Sequence, residues 1–123
     1  MITPWLAPAL AVFLALVGLS HFVFPDYFCR LVPPRLPWAR ALVYVTGAGE
    51  LVLGIALWVD ATRNAAAWAV VGLFAVYVWS HFDALTQAQP DNETWLERPT
   101  GAVARVVVNI GYLVWAVAVA MTG

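Results

Sequence analysis

The stretch "ALVYVTGAGELVLGIALWV", residues 41–59, decides the fold, because it is an almost wholly apolar run that contains a single charged residue, Glu50. Similar runs cover residues 5–24, 65–85 and 102–121. Each run is close in length to the ~20 residues that a helix needs to cross a hydrocarbon core roughly 30 Å thick. A lipid core admits only helices or closed barrels, and these runs lack the alternation of barrel strands, so the sequence predicts four transmembrane helices.

The composition supports a membrane protein. Of the 123 residues, 63% are hydrophobic and only 11% are charged, and the mean hydropathy is +0.83. A soluble domain of this size carries more charge on its surface. The first run does not resemble a signal peptide, because no basic residue precedes it and no small-residue cleavage pattern follows it. We therefore expect one integral membrane domain over residues 1–123, with an all-α fold: an up-down bundle of four transmembrane helices.

The connections between the predicted spans differ in length and chemistry. Segment 25–40 contains four prolines, too many for a continuous helix, and is predicted to be a structured loop or a short interfacial segment. Segment 86–101 is polar and acidic and is expected to lie in water, whereas "DATRN" at 60–64 is predicted to be a tight turn. With an even number of spans, this turn and both termini lie at one end, the turn end. The two longer connections lie at the other end, the loop face.

The arginines predict the orientation in the membrane, since the chain has no lysine. Only Arg63 lies at the turn end. The others lie on or near the loop face: Arg30, Arg35, Arg40, Arg98 and Arg105. The protein is expected in the cell (inner) membrane. The positive-inside rule then places the loop face in the cytoplasm and both termini on the outer side of that membrane. Tryptophans 5, 38, 58 and 68 lie near predicted span ends, as in an aromatic belt.

Several polar side chains fall inside the spans. Depth, counted at about 1.5 Å per helical residue, places Glu50, Asn109 and Tyr112 in one layer. A second layer lies nearer the loop face and contains His21, His81 and Arg105. Ionisable residues inside a membrane bundle are candidate functional residues by default. The predicted ligand-binding residues are therefore His21, Glu50, His81, Arg105, Asn109 and Tyr112, and no residue is assigned a catalytic role.

Glu50 shares one helix face with Gly47 and Gly54, where small residues allow a neighbouring helix to approach closely. We expect Glu50 to point inward, toward the fourth span. One interpretation is a structural clamp, in which Glu50 bonds to Asn109 or Tyr112 and pairs with Arg105. The other is a clamp that also lines a ligand or proton site.

A short motif, "SHF", occurs at 20–22 and again at 80–82, at equivalent places in the first and third spans. Together with the weak echo of "GELV" (49–52) by "GYLV" (111–114), it suggests two related helical hairpins. Two histidines at one depth can hold a haem or a metal between helices. The alternative is that His21 and His81 are interfacial and bond to water, a loop carbonyl or Asp83. We expect no resident cofactor, with quinone and bis-histidine haem as the alternatives.

Other chemistries have no support in the sequence. Cys29 is the only cysteine, which excludes an intramolecular disulfide and a CxxC centre. The "TGAG" at 46–49 lies inside a predicted span, where it indicates helix packing and not phosphate binding. The arginines form no stripe, so nucleic-acid binding is not predicted.

Residues 18–58, "GLSHFVFPDYFCRLVPPRLPWARALVYVTGAGELVLGIALW", are similar to the signature half of the DoxX-like family of small four-helix membrane proteins. The matching features are a histidine that ends the first span, the following proline and aromatic, "VPPRLP", and "LVY.TG..E...G". Segment 104–109, "ARVVVN", resembles that family's arginine–amide pattern, with Asn109 where glutamine is more usual. The third span departs from the pattern, because "VYVWSHFDAL" offers His81 in place of an asparagine-containing ending.

The resemblance implies four antiparallel spans and an association with membrane redox biology. Relatives are linked to quinone-coupled sulfur oxidation, methylamine metabolism and oxidative-stress complexes. Eukaryotic relatives act as assembly chaperones, and sterol-isomerase and sterol-binding bundles look similar. The resemblance implies no established reaction for this chain. The expected partners are the lipid bilayer, subunits of a membrane complex, a lipophilic small molecule or a second copy of the chain.

Two functions follow as hypotheses. In the first, narrowly preferred, the protein is a non-catalytic subunit or assembly partner of a redox-linked membrane complex. In the second, it binds a small lipophilic molecule, such as a quinone or a sterol-like molecule, in a cavity open to the loop face. A quinone needs apolar walls for its tail and a donor or proton-exchanging group at each carbonyl. Any catalysis would need a partner to carry electrons, so we lean against an enzyme.

Overall fold

Four long helices form the protein in a computed structural model that describes residues 3–122. They are α1 (Thr3–Val23), α3 (Ala39–Trp58), α4 (Asp60–Thr86) and α5 (Pro99–Thr122), with a short helix α2 (Pro25–Cys29) after α1. A 3₁₀ turn at Trp95–Glu97 precedes α5. All four long helices are long and apolar enough to cross a membrane. No strand occurs among residues 3–122, and the predicted all-α four-helix fold is confirmed.

Hydrogen bonds at the turn end join helices that are distant in sequence. The Trp115 indole donates to the Leu6 carbonyl at 3.0 Å, which links the end of α5 to the start of α1. The Asn64 amide donates to the Ala120 carbonyl at 3.2 Å, which links the start of α4 to the end of α5. The first and last helices therefore begin and end at the same end of the bundle, as an up-down arrangement requires.

Ion pairs at the loop face join the first long connection to the second connection and to α4. Arg30 pairs with Glu97 at 2.9 Å, and Arg35 pairs with Asp83 at 2.8 Å. The hydroxyl of Ser80 donates to the Leu31 carbonyl, which adds a contact between α4 and the proline-rich segment. Segment 25–40 contains the short helix α2 and the first two residues of α3, and residues 30–38 between them form no regular helix, as the prolines predicted.

The reversal between α3 and α4 is shorter than the sequence predicted. Only Val59 separates the helices, in an extended conformation with φ −95° and ψ 121°. Residues 60–64 are helical, so the prediction of a tight turn there is wrong. Asp60 lies in the first turn of α4, where a negative charge is favourable, and pairs with Arg63 at 2.8 Å. Arg63 also donates to the Leu57 carbonyl at 2.8 Å, so side chains of α4 satisfy the end of α3 without a loop.

The apolar core fills the half of the bundle next to the turn end. Its members come from all four long helices and include Leu10 and Leu14 in α1, Leu57 in α3, Val70 in α4 and Val119 in α5. The most extensive packing joins α1 to α3 and α4 to α5. Two hairpins therefore pack side by side, with the polar residues of the spans gathered toward the loop face.

Glycines bring α1 and α3 into close contact. A Cβ at Gly18 would lie 2.9 Å from the Gly47 carbonyl oxygen, and a Cβ at Gly47 would lie 2.6 Å from the His21 Cβ. A Cβ at Gly54 would lie 3.1 Å from the Ala11 carbonyl oxygen. The predicted close-packing face of α3 is confirmed, but it contacts α1. The expectation that Glu50 points toward the fourth span is wrong, because its carboxyl lies 3.3 Å from Nδ1 of His21 on α1 and faces Tyr77 on α4.

Candidate functional site

One cavity of about 610 Å³ lies in the half of the bundle next to the loop face. Its wall is mostly apolar. All of the sequence-predicted ligand-binding residues line it: His21, Glu50, His81, Arg105, Asn109 and Tyr112. The structure therefore gathers residues from four helices around one space, although it pairs them differently from the sequence-based expectation.

Glu50 and His21 form the innermost polar contact between α1 and α3. Glu50 is only 1% exposed, and its Oε2 lies 3.3 Å from the Nδ1 of His21. The same Nδ1 lies 2.8 Å from the Val17 carbonyl, which can only accept, so this nitrogen carries a hydrogen. Phe28 of α2 stacks on the imidazole with ring centroids 3.9 Å apart. The ring of His21 is thus held between α2 and Glu50.

Tyr77 is a site residue that sequence reasoning missed. Its hydroxyl faces the carboxyl of Glu50 and the hydroxyl of Thr46. Among residues 3–122, neither this hydroxyl nor Oε2 of Glu50 meets hydrogen-bond geometry with a partner. Thr46 uses its own hydrogen on backbone carbonyls of α3. The available signal was spacing, since Tyr77 precedes His81 by one helical turn on the same face.

His81 and Arg105 form a second polar group nearer the loop face. Both are buried, His81 on α4 and Arg105 on α5, and they are close enough for their charges to interact. Within the described chain, His81 Nδ1 and Arg105 Nε have no hydrogen-bond partner. A guanidinium remains protonated in proteins, so Arg105 brings a permanent positive charge to the cavity wall.

Asn109 and Tyr112 also line the cavity but do not bond to Glu50 in the described chain. The Asn109 amide donates to the Arg105 carbonyl at 2.8 Å, a local bond within α5 that short polar side chains often make. The Tyr112 ring packs against Phe13 and Phe74, with centroids 4.6 Å and 6.4 Å away. The predicted clamp from Glu50 to α5 is therefore wrong. Because Gly47 has no side chain, His21 of α1 packs against it and lies next to Glu50.

The cavity has two boundaries that matter for access. Exposed side chains of α3, α4 and α5 line it, namely Leu42, Val76 and Val108, so it reaches the outer apolar surface of the bundle. Toward the loop face lies a smaller, polar pocket of about 250 Å³. Arg105 lines both spaces. It therefore stands between the larger cavity and the loop face.

The family comparison covers nearly the whole chain. The family described as "Domain of unknown function (DUF8561)" matches residues 10–120. The chain belongs to this family. No curated protein and no solved structure matches it. The matched residues include every cavity residue named above, so the cavity lies within the DUF8561 domain of this chain.

The two histidines of the DUF8561 domain both reach the cavity, as a shared haem or metal would require. His21 has one ring nitrogen engaged with the Val17 carbonyl, and His81 has an unpartnered Nδ1. Over residues 3–122, no cluster of three or more His, Cys, Asp or Glu side chains is placed to hold a metal ion. Bis-histidine haem ligation stays a prediction, which an absorption spectrum tests.

Proposed function

We propose that the protein binds a small lipophilic molecule in its intramembrane cavity. The observation that carries the proposal is the cavity of about 610 Å³, which combines apolar walls with buried polar atoms that have no partner in the described chain. Small-molecule sites typically have volumes of about 300–1,000 Å³, with mostly apolar linings and a few polar groups. This cavity has the same character.

The unpartnered polar atoms favour a ligand with a hydrogen-bonding head. Leaving a buried donor or acceptor unsatisfied costs about 1–3 kcal/mol for a neutral group, and more for a charged one. His81 and Arg105 each place such a group in the cavity lining, His81 from α4 and Arg105 from α5. A quinone, with two carbonyl oxygens, or a sterol-like molecule, with one hydroxyl, offers partners for them.

The Glu50–His21 contact gives the site groups that exchange protons. A carboxyl and an imidazole within 3.3 Å of each other can accept or release a proton at a ligand oxygen. Binding needs no such transfer, so the proposal concerns binding and assigns no reaction. Electron transfer to or from a bound quinone would require a partner protein.

A role as a non-catalytic subunit or assembly partner of a redox-linked complex remains the second proposal. It rests on the resemblance to the DoxX-like family and is compatible with ligand binding. The cytoplasmic placement of the loop face, which rests on the arginine count, likewise remains a prediction.

The test is to identify what accompanies the purified protein. Protein extracted from membranes in a mild detergent is washed and dissociated, and the organic extract is analysed by mass spectrometry. We expect one lipophilic species near one equivalent in the wild type. Ala104 lines the cavity, and Ala75 is exposed on α4, outside the cavity lining. Ala104→Phe should therefore lose the species, and Ala75→Phe should keep it.

The opposing results are equally clear. The same mixture of bulk lipids in all three proteins, with no enriched species, would contradict ligand binding in the cavity. A Soret band in the absorption spectrum of the washed protein would instead identify haem as the occupant.

A further inference from the structure

We infer that the cavity takes an acidic amphiphile, whose anionic head, a carboxylate or a phosphate, binds Arg105. The inference rests on the proposed function, because it specifies which lipophilic molecule the cavity selects. It starts from the charge balance of the bundle and from the position of Arg105 between the two pockets.

Arg105 is a buried cation without a counter-charge. It is 9% exposed, and among residues 3–122 it forms no ion pair and its Nε has no hydrogen-bond partner. Its guanidinium stays protonated in proteins. A charge removed from water is costly unless it is paired, and charged side chains inside membranes generally have a partner. No acid among residues 3–122 pairs with Arg105, so any counter-charge for it comes from outside the described chain.

The acids near Arg105 are already paired with other arginines. Asp83 and Glu97 line the smaller pocket with Arg105, but Asp83 pairs with Arg35 and Glu97 pairs with Arg30. The remaining acids that form ion pairs lie elsewhere: Asp26 with Arg40, and Asp60 with Arg63. Glu50 is turned toward His21. Arg105 is therefore an uncompensated positive charge at the cavity wall.

His81 supplies a second polar atom to the same place, and its Nδ1 donates in the Nδ1–H tautomer. It is 8% exposed, it neighbours Arg105, and its Nδ1 has no partner in the described chain. A head with two or more oxygens can accept from a guanidinium and from an adjacent donor at once, and charge-assisted hydrogen bonds of this kind are the strong ones. A carboxylate or a phosphate has this geometry, whereas a single hydroxyl does not.

The surroundings of Arg105 match the two ends of an amphiphile. On the loop-face side lies the polar pocket of about 250 Å³, and on the inner side lies the larger cavity with Phe13, Val17 and Phe74 in its wall. A head at Arg105 therefore faces polar groups, while its chain extends among apolar side chains. The exposed Val76 and Val108 mark places where the hydrocarbon chain of the ligand meets the bilayer.

The test compares two probes that share a chain and differ in the head, tetradecanoate and 1-tetradecanol. Each is titrated into the full-length protein in nanodiscs of phosphatidylcholine, and the dissociation constant is measured. The shared chain buries the same apolar area, so the difference reports on the head. We expect about tenfold or greater preference for the acid, as one hydrogen bond to a charged group implies. Arg105→Gln should remove the preference but keep the binding of the alcohol.

Arg40→Gln is the matched control, because Arg40 is exposed and pairs with the exposed Asp26. This variant should keep the preference for the acid. Equal affinity for both probes in the wild type would overturn the inference and leave the proposed function intact. Failure of both probes to bind would overturn the inference, whereas the proposed function is decided separately by the species that accompanies the purified protein. If Arg105→Gln does not fold, the comparison of the two probes on the wild type still shows whether the cavity prefers an anionic head.

The two sources of an anionic head are separated by competition. Both probes are titrated again in nanodiscs that contain phosphatidylglycerol. Because an anionic bilayer repels the acid but not the neutral alcohol, the alcohol reports competition for the cavity. Weaker binding of the alcohol there than in phosphatidylcholine supports the anion site and identifies a phospholipid head as its natural occupant. Unchanged binding of the alcohol, with the acid preference intact in phosphatidylcholine, supports the anion site and identifies a free acid. Loss of the preference in both compositions overturns the inference.

Discussion

At the scale of single residues, the contact of Glu50 with His21 depends on Gly47, the glycine three positions before Glu50 in α3. Gly47 lets the backbone of α1 approach, and this brings His21 to within 3.3 Å of the carboxyl of Glu50. A larger residue at position 47 would separate α1 from α3 and leave the carboxyl of Glu50 facing an apolar gap. The contact is therefore a consequence of helix packing as much as of polar attraction.

The first prediction concerns the carboxyl group of Glu50. Glu50→Gln retains an oxygen that can accept from His21 Nδ1–H, so the melting temperature in detergent should change little. Glu50→Leu removes every acceptor and should destabilise the protein by about 1–3 kcal/mol for each buried polar group that it leaves unsatisfied. Thermal unfolding of both variants in the same detergent measures the difference.

Ligand retention by Glu50→Gln then separates the two interpretations of this residue. Retention of the lipophilic species would assign Glu50 a structural role, and its loss at unchanged stability would assign Glu50 to the ligand or proton site. A fully stable Glu50→Leu protein would mean that the side chain reaches water or lipid headgroups. Equal losses of stability and of ligand in both variants would mean that Glu50 does not line the pocket as described.

The second prediction concerns the approach of α1 to α3. Gly47→Ala adds a Cβ that would lie 2.6 Å from the His21 Cβ, so one helix must shift. Overpacking of this kind costs about 1–3 kcal/mol. Gly49→Ala is the control, because nothing lies within 4 Å of a Cβ at that position. We expect a lower melting temperature for the first variant and an equal or higher one for the second; the reverse order would contradict the packing.

Residue identities were predictable from the sequence, whereas their partners were not. A histidine, a glutamate or an arginine within an apolar run is visible as a departure from the pattern, and all six predicted residues line one cavity. The pairing of Glu50 with His21 depends on the rotation of α3 about its axis, which no spacing rule specifies. Tyr77 was missed because a tyrosine in an apolar run resembles an ordinary core aromatic.

At the scale of elements, the reversal between α3 and α4 shows how side chains replace a loop. Arg63 reaches back from α4 and donates to the Leu57 carbonyl, while Thr62 donates to the Ala56 carbonyl at 2.7 Å. The last carbonyls of a helix otherwise lack partners. Hydropathy placed the start of this helix at residue 65, because the polar residues 60–64 end the apolar run without ending the helix.

The third prediction tests this reversal. Arg63→Ala removes both the bond to the Leu57 carbonyl and the ion pair with Asp60, so it should lower the melting temperature by more than Asp60→Ala does. Asp60 is almost fully exposed, and such surface pairs contribute about 1 kcal/mol or less. Similar melting temperatures for the two variants would show that the carbonyl contacts contribute nothing.

At the scale of the whole molecule, the number of spans and the up-down order followed from hydropathy alone. The volume and lining of the cavity did not, since they depend on how two hairpins pack against each other. In the turn-end half, alanines such as Ala67, Ala116 and Ala120 let the helices pack closely, whereas bulky aromatic side chains and the polar residues of the spans surround the cavity in the other half. The cavity therefore lies near the loop face.

The fourth prediction concerns topology. In a Cys29→Ser background, cysteines are introduced at Ala61 near the turn end and at Asp91 in the second long connection, both of which are exposed. A membrane-impermeant thiol reagent should label the two positions from opposite sides of the membrane. The arginine count further predicts that position 61 is labelled from outside the cell. Labelling of both positions from one side would contradict the four-span arrangement.

The most direct test of the ligand cavity is photo-crosslinking with a lipophilic probe. A fourteen-carbon acid that carries a diazirine at mid-chain is bound to the protein in nanodiscs and activated, and the modified residues are identified by mass spectrometry. We predict saturable labelling of cavity residues such as Phe74 and Tyr112, lost in Ala104→Phe and retained in Ala75→Phe. Labelling confined to lipid-facing residues such as Val52 and Val114, and unaffected by either substitution, would contradict the account.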